Sequence, residues 1–337
     1  MILDIFSQDA FGAVELTNAI NKLPFIPGRV GQLGIFANRG VATTAVSIEE
    51  REGVLYMVPT SQRGAPGTQN KTGKRTLRKL AIPHLQVNDT ILADEVQNVR
   101  SFGSENELQS LQMVVNQRLE TMAQSLDVTI EHLRLGAIKG QILDSDGSTV
   151  IYNLFTEFGV SQESEVDFDL DNANPAAGAL RKKCASVIRK IANNLGAAPL
   201  TRVHALCGDN FFDDLVAHPE VRETYLNQSQ ASELREGYVY GTLNFGGVTF
   251  ENYRGSVGGT SFIDTDKCHL FPVGVPGLFM NFFGPADYAE RVNSIGLPRY
   301  AKQAADPMFN KFVSLEAQSN PLPICTRPKV LMQGKRT

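Results

Sequence analysis

Apolar residues step by threes and fours from Leu108 to Ala137: Leu108, Leu111, Val115, Leu119, Met122, Leu126, Ile130, Leu133 and Ala137 make one stripe. The step averages the ~3.6 residues of a helical turn, and residues 104–135 contain neither proline nor glycine. Ser104 and Glu107 form S-x-x-E, a pair whose side chains satisfy the first free N–H groups of a helix. The pattern predicts a helix over 104–136, stopped at Gly136 or Gly140, on the order of 50 Å long. Most globular helices run about 8–20 residues, so this one needs a reason. Its spacing does not hold a strict heptad, and Met113, Val114 and Val128 broaden the stripe. That favours one helix lying across a sheet over a coiled coil.

Upstream, residues 9–23 predict a short helix with Phe11, Val14, Ala19, Ile20 and Leu23 on one side. Pro24 and Pro27 end it, and PFIPGRVGQLG reads as an extended arm, because proline biases the residue before it away from helix. An apolar arm that short cannot bury itself and must lie on another surface. Strand-like runs follow at Ala45–Glu49, 53–59 and 76–85, the last two separated by TSQRGAPGTQNKTGKR. They predict a long hairpin with a glycine-rich, cationic tip.

Downstream, a turn at Asp146-Gly147 feeds a strand. A second helix is predicted with Asn174 as N-cap, Pro175 at its first position, an apolar face of Leu180, Cys184, Val187, Ile188, Ile191 and Leu195, and a stop at Gly196. RVHALCG reads as a strand and residues 209–226 as two short helices broken at Pro219. The remainder is strand-and-turn material. Helices and strands mix without regular alternation, which predicts the α+β class.

Composition narrows the classes. The chain has 337 residues and a formal charge of −4, enough for about two domains and too acidic for a globally basic nucleic-acid binder. Cys184, Cys207, Cys268 and Cys325 lie far apart and predict reduced thiols. The N-terminus lacks the basic segment of a signal peptide, and no apolar run reaches membrane-spanning length, so the expectation is an intracellular protein with no membrane contact.

Candidate chemistry is thin. GTQNKTGKRT at 67–76 fails the phosphate-loop pattern, since five residues separate Gly67 from Gly73 and Arg75 stands where a hydroxyl must hold magnesium. His204, Cys207, Cys268 and His269 lack zinc-ligand spacing. DFDLDNAN at 167–174 lacks the glycine and the bidentate glutamate of a calcium loop. Arg181, Lys182, Lys183, Arg189 and Lys190 form a basic helix face of the kind that is usually just solvated. No catalytic residue, cofactor or metal is predicted.

Longer stretches carry a resemblance. FSQDAFGAVELTNAINKLPFIPGRVGQLGIF resembles the start of the phage lambda-type major capsid proteins, the major capsid protein E family. GVLYMVPTSQRGAPG and LRLGAIKGQILDSDGSTVIYNLFTEFGV resemble that family's hairpin and its helix-to-strand passage. The resemblance implies a Hong Kong 97-like α+β subunit: an N-terminal arm (1–44), an E-loop hairpin (45–86), a P-domain with a spine helix (87–170), an A-domain (171–275), and a return to the P-domain (276–337). It implies a non-enzymatic shell protein that assembles into pentamers and hexamers of an icosahedral capsid. That shell encloses double-stranded DNA without sequence-specific contacts and forms in the host bacterial cytoplasm. Implied partners are a separate scaffolding protein, a portal protein and a decoration protein; covalent cross-links are not predicted, because nothing marks an acceptor for Lys71 or Lys74.

The expected contacts between subunits are Arg63, Lys71, Lys74, Arg75 and Arg78 on or beside the hairpin tip and Phe25, Ile26 and Arg29 in the arm. Leu119, Met122, Leu126 and Ile130 are expected to pack the spine helix. Two alternatives stand beside this reading: the shell of a cellular protein compartment with the same fold, and a nucleotide-binding enzyme using the 60–76 loop. Neighbouring genes and a nucleotide-binding assay discriminate them.

Overall fold

In the computed structural model, the structure describes residues 28–51, 75–96, 111–172, 174–196, 198–226, 241–257 and 260–337. In chain order these form α1 (Arg29–Gln32), β1 (Phe36–Gly40), β2 (Ala45–Arg51), β3 (Arg75–Ala81), β4 (Leu85–Leu92), α2 (Ala93–Val96) and α3 (Leu111–Lys139). Next come β5 (Gln141–Leu143), β6 (Val150–Asn153), α4 (Leu154–Glu157), β7 (Val166–Asp167), α5 (Ala179–Leu195), β8 (Arg202–Cys207), α6 (Asp209–Ala217) and α7 (Pro219–Leu226). The last stretch holds β9 (Thr242–Phe245), β10 (Val248–Asn252), β11 (Ser256–Val257), β12 (Thr260–Ser261), β13 (Lys267–Val273), β14 (Phe279–Phe283), β15 (Tyr300–Ala305), β16 (Phe312–Ser319), β17 (Pro321–Cys325) and β18 (Met332–Lys335).

The stripe on α3 has two receivers. Val114, Val115, Leu119, Met122, Ala123 and Leu126 pack with Ile91, Ala301, Val313, Leu315 and Ala317 of the antiparallel sheet β15-β16-β4. Two turns further on, Leu133, Leu135, Ala137 and Ile138 belong to a second, larger core. That core also takes Phe279, Leu322 and Ile324 from the sheet β1-β14-β17, and residues of the six-stranded sheet β7-β18-β13-β8-β10-β9. At ~1.5 Å per residue the 29 residues of α3 span about 43 Å, long enough to bridge both cores. This accounts for its length. Met113 and Val128, read as broadening the stripe, are exposed instead.

Several expected boundaries move, each for a local reason. Gly136 does not stop α3: a Cβ there would come within 2.9 Å of the Gln141 carbonyl oxygen and the Ile142 Cα, so glycine lets β5 fold back against the helix. The helix stops at Lys139, and Gly140 follows with φ +82°. Its predicted start, residues 104–110, lies outside the described residues. The second helix begins at Ala179 rather than at Pro175, because Gly178 before it is left-handed (φ +78°) and the Glu220 carboxylate accepts from the amides of Leu180 (3.2 Å) and Arg181 (3.3 Å). The single strand expected over 76–85 is two. It breaks before Pro83, and β3 pairs with β2 while β4 joins β16.

The β2–β3 pair, from Ala45↔Ala81 to Arg51↔Arg75, is the base of the predicted hairpin; residues 52–74, including the strand expected at 53–59, lie outside the described residues. A division at 275 does not separate the sheets. β18 and β7 both join the six-stranded sheet, where β18 runs antiparallel to β13 and parallel to β7.

Candidate functional site: the anchor of the N-terminal segment

Between its two apolar halves α3 carries Asp127, Glu131 and Arg134, spaced one turn apart and all buried. Each reaches a different part of the chain. Arg299, from the loop before β15, donates to Asp127 Oδ2 at 3.0 Å. The Arg134 guanidinium lies 5.9 Å from the ring centroid of Phe36 in β1. The Glu131 carboxylate accepts from the backbone amides of Val30 (2.6 Å) and Gly31 (3.1 Å).

That last contact corrects the expected extended arm. Residues 29–32 are helical, since a buried carboxylate satisfies the free N–H groups at the start of α1. Gly28 makes the approach feasible: a Cβ there would overlap the Glu131 carboxyl group. A second carboxylate also holds α1. Glu251 on β10 accepts from Arg29 Nε and, at 3.1 Å, from Arg29 Nη2. Glu251 Oε2 also lies 3.1 Å from His204 Nε2 on β8. Arg29, expected to contact a neighbouring subunit, therefore spends its guanidinium inside its own chain.

The electrostatics follow from burial and partners. Burial raises the pKa of Asp127 from 3.8 to about 6, against the lowering pull of Arg299 and Arg134. Its Oδ1 is buried with no hydrogen-bond partner among the described residues. Burial also raises Glu131, with the Val30 and Gly31 amides opposing. Burial pushes Glu251 upward too, but the His204 and Arg29 hydrogen bonds outweigh it and its pKa lies below the usual value. A cleft of about 410 Å³ opens beside this cluster, lined by Val30, Phe36, Asn38, Asp127, Arg134 and Arg299 among others. The arrangement fixes three elements to one helix. It holds no nucleophile poised beside a base.

The other predicted residues are dispersed. Leu119, Met122, Leu126 and Ile130 are buried along α3. Phe25, Ile26, Arg63, Lys71 and Lys74 lie outside the described residues, and Arg75 begins β3 opposite Arg51. Arg78 is not at the tip. Its guanidinium donates to the carbonyl oxygens of Glu157 and, at 3.0 Å, Phe158, and lies 5.4 Å from the Phe158 ring centroid. It is a brace between the hairpin base and the end of α4. Cys207 and Cys268 face each other across β8 and β13 in the core, and among the described residues no group of three His, Cys, Asp or Glu is placed to hold a metal. On α5, Lys182 and Arg189 are exposed, Lys183 reaches Asp169 at 4.0 Å, and Arg181 lies over Phe245.

The α3 charges and Glu251 were missed by pattern reading. Their only signal is that Asp127, Glu131 and Arg134 fall on one side at helical spacing just beside the apolar stripe. A charge at the edge of a stripe ordinarily reads as solvated.

Comparison with known proteins gives a consistent result. The family model described as phage major capsid protein E matches residues 12–336. The chain is 28% identical to the major capsid protein of Pseudomonas phage KPP10, covering 97% of each chain. It is 26% identical to that of Salmonella phage Felix O1 (isolate Felix O1-VT1), covering 96% of each. Among solved structures, a putative capsid protein of a prophage from E. coli CFT073 superimposes with a TM-score of 0.59 at 13% identity, over 97% of this chain and 99% of the other. At that identity the likeness speaks for the fold alone: the α+β, Hong Kong 97-like capsid subunit.

Proposed function

The chain belongs to the phage major capsid protein E family, and from that premise we propose how its parts divide the work of building a shell. It is a structural protein of the virion whose subunits associate with one another. The finer reading is pentamers and hexamers closing an icosahedral shell around double-stranded DNA, assembled in the bacterial cytoplasm. A separate scaffolding protein and a portal guide it, and a decoration protein braces it. The role needs no catalysis.

In this reading residues 1–44 are the N-terminal segment, held on the body from Arg29 on, 45–86 the E-loop hairpin up to the start of β4, 87–170 the spine-helix domain, 171–275 the axial domain with β7 and β18 added to its sheet, and 276–337 the return. The observation that carries it is the family match over residues 12–336, together with one helix that joins two cores and a buried anchor on it. The anchor fixes where the N-terminal segment leaves the body. A segment whose exit is fixed reaches a neighbour with less orientational entropy to lose.

Five cations from Arg63 to Arg78 mark the hairpin; Arg78 is engaged by its own chain, and the side chains of the other four lie outside the described residues. The other four are proposed to dock on an adjacent subunit. Limited trypsin digestion tests this. The loop at 60–76 should be the first site cut in free subunits and should resist in assembled particles. Equal cleavage in both states makes it an ordinary surface loop.

A further inference from the structure

Where the β5–β6 turn meets the C-terminal half of α3, a cavity of about 190 Å³ is lined by Thr129, His132, Lys139, Ser145, Asp146 and Phe262 among others. It shares no lining residue with the cleft beside the anchor. Two nitrogen bases meet there, His132 and Lys139, both half-buried and about two helical turns apart on α3. Phe262, just after β12, touches both. Its carbonyl oxygen accepts from Lys139 Nζ, and its ring centroid lies 4.8 Å from that of His132.

A lysine at a helix C-terminus is ordinarily a cation held by the last carbonyls. Here burial lowers the Lys139 pKa from 10.5 to about 8, against the raising pull of Asp264. At pH 7.5 about a quarter of such amines are neutral, against about one in a thousand for an ordinary lysine. The neutral amine keeps an N–H for Phe262 and gains a free lone pair, as a nucleophile requires.

His132 supplies the matching base. Its Nε2 lies 3.2 Å from the Asp144 carbonyl oxygen, so Nε2 carries the ring proton and donates it. Nδ1 is then the lone-pair nitrogen, and it is buried with no hydrogen-bond partner among the described residues. Burial also lowers the His132 pKa, which keeps the ring neutral near pH 7 and ready to take a proton. The other titratable groups around the pair are Asp144 and Asp146 in the β5–β6 turn, Asp264 after β12 and His269 on β13. Asp146 spends its oxygens within the turn, on the amides of Ser148 and Thr149 and the Thr149 hydroxyl.

We propose that Lys139 is a site of acylation by small acyl phosphates, with His132 as the proton acceptor. Lys139 Nζ attacks the acyl carbonyl carbon and a C–N bond forms. The C–O bond to phosphate breaks, phosphate leaves with the electron pair, and the proton shed by nitrogen passes to His132 Nδ1. The small cavity suits an acetyl group and its phosphate rather than a bulky donor. The product amide retains an N–H for the Phe262 carbonyl, so the fold can carry it. This chemistry goes beyond the shell role and does not depend on it.

Incubating the full-length chain with acetyl phosphate at pH 7.5, with peptide mass spectrometry of its lysines, tests the proposal. Lys139 should acetylate at least tenfold faster than Lys182, an exposed lysine on α5. Its rate should level off above about pH 8, where the amine is already neutral, while that of Lys182 keeps climbing. Acetyl-coenzyme A, too bulky for the cavity, should show no preference for Lys139. His132→Gln, which keeps a donor for the Asp144 carbonyl, should slow Lys139 at least fivefold and leave Lys182 unchanged. Lys139 reacting no faster than Lys182, or climbing in parallel with it past about pH 9, overturns the proposal. Both readouts use the unaltered chain, so they decide even if the His132 variant does not fold. An unchanged Lys139 rate in a folded His132→Gln chain overturns the role of His132. A preference kept with the thioester overturns the assignment to acyl phosphates.

Discussion

A methyl group at Gly28 would fall on the Glu131 carboxyl group, so Gly28→Ala must push Glu131 off the amides of Val30 and Gly31 or lift α1 away from α3. Either outcome leaves buried polar groups unpaired. The variant should lose about 1–3 kcal/mol in a denaturant titration, and Glu131→Ala a similar amount. Asp127 gives a pH test with a definite sign. Its folded pKa of about 6 lies above its ordinary 3.8, so the folded state binds the proton more tightly than the unfolded state does. Ionisation of Asp127 therefore costs stability as pH rises from about 4 to about 6, on the order of 2–3 kcal/mol in total. Asp127→Asn should be progressively favoured over wild type as pH rises through that window, and a pH-independent difference between the two would contradict the assignment. None of these residues was legible as a site. Their character comes from burial by segments 101 and 172 residues away in sequence, and local pattern does not encode that.

At the level of elements, α3 was the most legible feature because its period is local and long. What the stripe could not reveal was that it faces two cores, since both present the same apolar demand. Leu126→Ala, in the first core, should cost about 2–5 kcal/mol, while exposed Met113→Ala should change stability by less than about 0.5 kcal/mol. Comparable melting shifts for both would show that the helix is not packed this way. Strands were read less well. β1 (FANRG) has a single large apolar residue and exists because Asn38 and its neighbours pair in parallel with β14, opposite Asn281. β15 (YAKQAA) is recognisable only once β16 lies beside it. Cap signals mislead at Asn174: the carboxylate of Glu220 in α7 supplies the capping, five residues further on.

For the whole molecule, class and family were legible because long stretches of wording resemble one family, whereas sheet membership was not. β7 and β18 close the six-stranded sheet from sequence positions that pattern reading assigned elsewhere. The mild acidity of the chain bears on its cargo: the purified subunit should bind duplex DNA weakly and without sequence preference, and nanomolar affinity at physiological salt would instead assign a nucleic-acid role to the Arg181–Lys190 face. If Lys74 and Arg75 dock on an acidic strip of the adjacent subunit, as proposed, reversing both to Glu should leave circular dichroism and melting of the free subunit unchanged and abolish particles, because like charges would then meet at every repeated contact.

The central claim is that this chain by itself encodes a shell subunit. Electron microscopy of the expressed chain, alone and with candidate scaffolding protein, tests it most directly. The account predicts closed, hollow particles of uniform diameter whose capsomers show five- and six-fold symmetry. A preparation that is folded by circular dichroism yet remains monomeric in every condition, with no ring or shell in the micrographs, would contradict it.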